Sequence, residues 1–247
     1  MANSEAKEQV IVPLDLLRSR ITKLTSRILF KLEDRSGFPL NPPIYQPGAI
    51  PIPDGSSPSF LEYSIRGLEE YHGVLGRWQF PDEHPLIISA KPTIITRNTV
   101  GGLPTLPNVD INVKDALMPF YTDTVLPQLC EDKDEPDTYG ETAYLDADVL
   151  ELLNERINLG RYVAQSKVND NPEIWNVVSD TPALIEELTD RDREKVVINN
   201  ALKIARRHGL NARFTRGFIK SVIAQTINVE VAYLQGLPSQ KSHSFGG

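Results

Sequence analysis

Apolar residues along the chain recur mainly at three- and four-residue spacings, and that rhythm predicts helices. Leu14, Leu17, Ile21, Leu24 and Ile28 set the first stripe, over residues 14–36. Pro39 stops it, and the proline-rich stretch through Pro58 cannot sustain regular hydrogen bonding. Ser59 reads as the cap of a second helix reaching about Trp78. Residues 79–113 hold many prolines and adjacent Gly101 and Gly102, so they read as irregular, with room for a short strand over 93–96. A helix follows over 113–129, then the acidic loop EDKDEPDTYG, then a long helix from about Thr142 past Lys167. Pro172 and Pro182 sit where the first turns of two shorter helices are expected. Two more long helices are expected over 190–208, with Thr189 as its cap, and over 213–234. The expected architecture is all-α: a single-domain multi-helix bundle over residues 14–235, with an N-terminal extension (1–13) and a disordered tail (236–247).

Polar residues that interrupt the apolar stripes carry the chemistry. On the long central helix the stripe reads Val149, Leu152, Leu153, Arg156, Gly160, Val163, Lys167. Eleven residues at ~100° each return to within about 20° of the start, so Arg156 and Lys167 share a face, roughly 16 Å apart along the axis. Gly160 between them removes bulk where something must approach. Arg18 interrupts the first stripe, Asp190 and Glu194 the penultimate one, and Thr226 and Glu230 the last. Each has an ordinary structural explanation: Arg18 reaching solvent, Thr226 bonding its own helix, Glu230 pairing with Lys167, Asp190 favouring a helix start. Four helices pointing polar groups inward together suggest a polar pocket in the bundle core, where helical proteins build ligand sites. Three cations facing two or three carboxylates suit a small dicarboxylate.

Charge and composition narrow this reading. The net charge is −7 and no basic tract is visible, which argues against nucleic-acid or anionic-membrane partners. No run of apolar residues approaches the roughly 18 needed for a membrane helix. Cys130, the single cysteine, precludes an internal disulfide and is expected to pack in the interior of a cytoplasmic protein.

The segment LNERINLGRYVAQSK, residues 153–167, resembles the signature of eukaryotic-type chorismate mutases. The match rests on an Arg-Ile pair, a Gly, a Val-Ala pair and a Lys eleven residues after the Arg. LLRSRITKLTSRILFKLEDRSGFPLNPPIY (16–45), FLEY (60–63), FPDEHP (80–85) and TINVEVAYL (226–234) are similar to the same family, in order and from residue 16 to residue 234. The resemblance implies a Claisen rearrangement of chorismate to prephenate, in a homodimer needing no metal or other cofactor. It assigns Arg18 and Arg156 to the two substrate carboxylates, and Lys167 with a protonated Glu230 to the ether oxygen. Glu194 is assigned to the ring hydroxyl, and Asp190 and Thr226 to the remaining contacts. Asp190 departs from the Asn that fungal members tend to carry. Regulated members bind tyrosine or tryptophan through consecutive arginines and a Gly-Ser pair, where this chain has Gly76-Arg77 and Gly140-Glu141. Arg77, Gly140 and Glu141 are therefore expected to form at most a vestigial effector site. The alternative readings are a relative acting on another chorismate-like dicarboxylate and a non-catalytic helical protein that keeps the fold.

Overall fold

The computed structural model describes residues 12–88, 93–98 and 102–238. Among them every regular element is helical: α1 (Leu14–Ser36), α2 (Phe60–Val74), α3 (Lys114–Pro119), α4 (Leu126–Leu129), α5 (Tyr139–Asn158), α6 (Gly160–Asp170), α7 (Thr181–Leu188), α8 (Arg191–Arg207) and α9 (Ala212–Gly236). The expected all-α class holds, and residues 93–96 form no strand. Most of the expected tail, like residues 1–11, lies outside the described residues. No described helix is long and apolar enough to cross a membrane.

Local chemistry explains where the limits differ from expectation. Ser59 caps α2 as foreseen, accepting from the Glu62 amide in a capping box. The helix stops at Val74 rather than near Trp78 because Gly76 (φ 97) and Trp78 (φ 70) turn left-handed. A Cβ at residue 76 would stand 2.9 Å from the Ile95 carbonyl, so glycine suits that turn. Between α3 and α4 the chain winds as a π-helix over Phe120–Val125. Pro119 and Pro127, which lack the amide that α-helical bonding requires, bracket that segment. The long central helix breaks at Leu159 into α5 and α6. There ψ is −17° and Tyr162 N–H reaches Leu159 O (3.1 Å), a tighter 3₁₀-like turn. Asp190, not Thr189, caps α8: its carboxylate accepts from the Arg193 amide (2.9 Å), while the Thr189 hydroxyl donates to Ile185 O (2.7 Å).

Helix α5 is the axis of the molecule, buried on nearly every side, with α1 and α2 against it and α9 alongside. Leu17, Leu24, Ile28, Leu29 and Leu32 of α1 share one core with Leu150, Leu153 and Ile157 of α5 and with Ile219 and Val222 of α9. A smaller core under α7 gathers Ala164, Val168, Leu184, Leu188 and Leu234. Most polar groups inside are satisfied, the exceptions among the described residues being His84 Nε2 and Gln225 Oε1. Arg35 Nε donates to Asp146 Oδ1 at 2.7 Å, and the hydroxyls of Tyr45 and Tyr121 each donate to the same carboxylate at 2.7 Å. That cluster, with Arg35, Tyr121 and Asp146 fully buried, fastens the C-terminal end of α1 to α5. Cys130 is only partly buried; the surrounding protein pushes its thiol up to about 11, keeping it protonated and unreactive.

Candidate active site

The seven inward-facing polar residues come from five helices, and the bundle brings them to one cavity. Arg18 of α1, Arg156 of α5, Lys167 of α6, Asp190 and Glu194 at the start of α8, and Thr226 and Glu230 of α9 all line a cavity of ≈ 110 Å³. Its apolar walls are Leu14, Ile21, Val163, Val197, Ile223 and Ile227. The α5–α6 pair contributes a floor, α1 and α8 the mouth, and α9 the far wall.

Arg156 is the most constrained of these groups. Only 3% of its surface is exposed, yet its hydrogen bonds all go to neutral oxygens. Nε donates to Thr25 Oγ1 (3.0 Å), and Nη1 to Thr226 Oγ1 (3.0 Å) and Val222 O (3.4 Å). Burial without a counter-charge lowers its pKa to about 10, below the ordinary arginine range. The guanidinium stays charged at neutral pH, and a fork aimed at no protein carboxylate suits an incoming one.

Lys167 and Arg18 are paired. Lys167 Nζ donates to Glu230 Oε2 (2.7 Å) and to Leu188 O (2.5 Å). Burial raises the Glu230 carboxyl above the usual range, and the Lys167 charge opposes only part of that rise. Arg18 reaches Asp190 at 3.4 Å and the exposed Asp15 at 3.5 Å at the open mouth. The pairing of Glu230 with Lys167 and the bond from Thr226 Oγ1 to Val222 O (2.8 Å) match the plain structural explanations for those residues. Both groups nonetheless face the cavity.

Two residues escaped the sequence reading. Thr25 lies seven residues after Arg18, hence on the same face of α1, and that spacing could have exposed it as the support of Arg156. Arg193 lines the cavity as a fourth cation. It adjoins Glu194 in a run of charges whose inward members periodicity does not separate. The role of Gly160 is also revised. A Cβ there would meet the Thr226 carbonyl at 2.8 Å and the Val229 side chain at 3.4 Å. What approaches Gly160 is the backbone of α9, which places Thr226 and Glu230 over the floor.

The proposed effector residues are not gathered within the chain. Arg77 extends to Glu151 (3.7 Å) and Glu155 (3.8 Å) on α5, with its guanidinium over the Trp78 ring. Gly140 and Glu141 sit exposed in the first turn of the same helix. Fourteen residues of helix, about 21 Å, separate Glu141 from Glu155.

Comparison with known proteins places this arrangement. Residues 138–231 match the family model described as chorismate mutase type II. The chorismate mutase of Trichoderma parareesei is 33% identical over 210 residues, covering 81% of this chain and 76% of the relative. That of Schizosaccharomyces pombe is 27% identical over 242 residues, 90% of this chain and 94% of the relative. The crystal structure of the Zea mays chloroplast chorismate mutase matches with a TM-score of 0.72 at 26% identity, over 92% of this chain and 96% of that one. Aro7p chorismate mutase from Candida albicans, in complex with L-Trp, shares the fold at a TM-score of 0.78 and 22% identity, over 90% of each chain. On this sequence similarity and shared helical fold, the chain belongs to the chorismate mutase family.

Proposed function

We infer that the chain rearranges chorismate to prephenate in the cavity floored by Arg156. The observation that carries this reading is a buried, charged guanidinium with only neutral partners, facing Arg18, Lys167 and Glu230 across an apolar-walled cleft. Two arginines on different helices suit the two carboxylates of chorismate. Held at both ends, the substrate is confined to the compact conformer in which the reacting carbons meet, so ordering is complete before the bonds reorganise. The reaction is unimolecular, and no nucleophile is required of the protein.

As the ether C–O bond breaks, negative charge grows on the oxygen. Lys167 is a compact donor suited to that charge, and Glu230, whose carboxyl burial holds above the usual range, donates beside it when protonated. Glu194 accepts from the ring hydroxyl, while Thr226 and Asp190 complete the polar contacts, Asp190 also holding Arg18 at the mouth. Interactions that strengthen as charge develops lower the barrier more than they tighten substrate binding.

The protein acts as a homodimer in the cytoplasm, in keeping with the cytosolic relative from Zea mays. Regulation by tyrosine or tryptophan is weak, because Arg77 is a lone arginine and is already held by two carboxylates. The decisive assay follows chorismate loss and prephenate formation with purified protein, using Lys167→Ala as control. Turnover that survives Lys167→Ala unchanged, or protein that leaves chorismate untouched, would defeat the assignment.

A further inference from the structure

A second cavity, of ≈ 590 Å³, opens on another side of α5 and is polar where the first is apolar. Asn154 and Asn158 of α5 and Arg161 of α6 line it at a four- and then three-residue spacing, and each is less than a tenth exposed. They are wired together. Asn154 Nδ2 donates to His84 O (2.6 Å), and Asn158 Nδ2 donates to Asn154 Oδ1 (2.8 Å). Arg161 Nε donates to Asn158 Oδ1 (3.3 Å), and Nη1 donates to Val109 O (2.6 Å). A loop over 108–113 forms the opposite wall.

Two features of this wall point to a ligand. Arg161 forms no ion pair among the described residues: both recorded acceptors are neutral, and Asp110 attracts it only from farther off along the lining. Its Nη2 edge therefore has donors to spare. His84 also lines the cavity, and its Nε2 is fully buried with no hydrogen-bond partner among the described residues. Burial and the nearby Arg161 charge keep that imidazole neutral. An unpaired buried nitrogen of this kind costs free energy until something meets it. A hydroxyl can donate to or accept from a neutral imidazole, so it suits either tautomer. A carboxylate suits the single free guanidinium edge, and the volume falls within the usual range for small-molecule sites.

We propose that this second cavity binds a small hydroxy-monocarboxylate, its carboxylate on Arg161 and a hydroxyl on His84 Nε2. The site is separate from the Arg156 cavity, since the two share no lining residue. The monoanion is selected over a dianion because the second lining cation, Lys114, is already held by Glu62 at 2.8 Å, and Asp110 adds a carboxylate to the lining.

The test uses the intact protein with gluconate and lactate as probes, sorbitol as the uncharged counterpart and sodium chloride as the salt control. Imidazole nitrogen resonances are followed in the wild type, where only 4 histidines need assignment, and affinity is measured by calorimetry. Either acid should shift the His84 Nε2 resonance saturably, while sorbitol and salt leave it in place. Arg161→Gln should weaken the affinity about tenfold or more, the effect of losing one charge-assisted pair. Lys167→Ala, in the other cavity, should leave it within about twofold, less than a tenfold step of 1.4 kcal/mol. No saturable shift with either acid, an equal response to sorbitol, or loss of binding in Lys167→Ala would overturn the proposal. If Arg161→Gln does not fold, the wild-type titration of His84 against sorbitol decides alone.

Discussion

Arg156 carries a full charge among hydroxyl and carbonyl oxygens, and that setting has a cost to the fold as well as a use. Its pKa is lowered to about 10, so below that pH both the folded and unfolded chains hold the proton and the penalty of burial is fully present. Above it the folded chain sheds the proton first and the penalty is relieved. Arg156→Leu should therefore abolish turnover yet raise unfolding free energy at neutral pH by about 1–3 kcal/mol. Thr25 and Thr226 keep their own bonds to Ile21 O and Val222 O, so the variant strands neither hydroxyl donor. Urea unfolding of the pair checks this, and a destabilised variant would count against an uncompensated charge. Glu230 has the opposite sign. Burial raises its carboxyl, so the proton-bearing form persists to higher pH than in an exposed glutamate and is lost as pH rises through the raised value. Activity should fall along that alkaline limb, and Glu230→Gln should flatten it; an unchanged kcat/KM profile would remove the protonated carboxyl from the mechanism. Lys167→Ala should cut kcat by ~10²–10³, the usual effect of losing one such donor. The seven inward residues were legible as breaks in apolar stripes. Thr25 was less so because threonine on a half-buried face attracts no notice until its partner is known.

At the scale of elements, the crossing of α9 over Gly160 sets the geometry of the site. A Cβ at residue 160 would strike the Thr226 carbonyl at 2.8 Å, and backbone cannot swing aside as a side chain can. Gly160→Ala should cost about 1–3 kcal/mol and lower kcat as well, because Thr226 and Glu230 ride on the displaced helix. Gly140→Ala is the matched control: its Cβ meets nothing within 4 Å, so thermal unfolding and kcat should stay level or stability improve slightly. The existence of the α-helices was readable from spacing or from a first-turn proline, whereas the 3₁₀ helix over Pro42–Tyr45 lies in the stretch read as irregular. The boundaries that shifted did so where backbone geometry competes with pattern: the left-handed Trp78, the π segment between two prolines, and the tightened turn at Leu159. None of these leaves a periodic signature. Gly160 was recognised as a point of close approach, but sequence does not say whether ligand or helix does the approaching.

Across the whole molecule, charged groups link α1, the loop after α2 and α5. Arg20 donates to Asp82 (2.5 Å) and Glu155 (2.9 Å), and Arg77 reaches Glu155 from the other side at 3.8 Å. With Arg77 committed to this network, saturating tyrosine or tryptophan should change the rate by less than about twofold, a coupling below the 1–3 kcal/mol typical of allostery. Steady-state assays with each amino acid check this, and a severalfold response would show that Arg77 can be released. The family and the convergence of the four helices were legible because both depend on order and spacing. This network was not, since its members lie on solvated faces where charge is ordinary and only the fold decides which ends meet.

The Arg35–Asp146 cluster has a consequence for the order in which the chain matures. Its partners are 111 residues apart, so α1 is synthesised long before the carboxylate that neutralises its buried arginine. Until α5 appears, Leu17, Leu24 and Leu32 have no core to enter and Arg35 no reason to leave water. The first helix must wait, and the intervening residues close a long loop whose entropy grows only slowly with its length. A nascent chain halted before Asp146 should stay unfolded and open to proteolysis, whereas one extended through α9 closes its core from both ends at once.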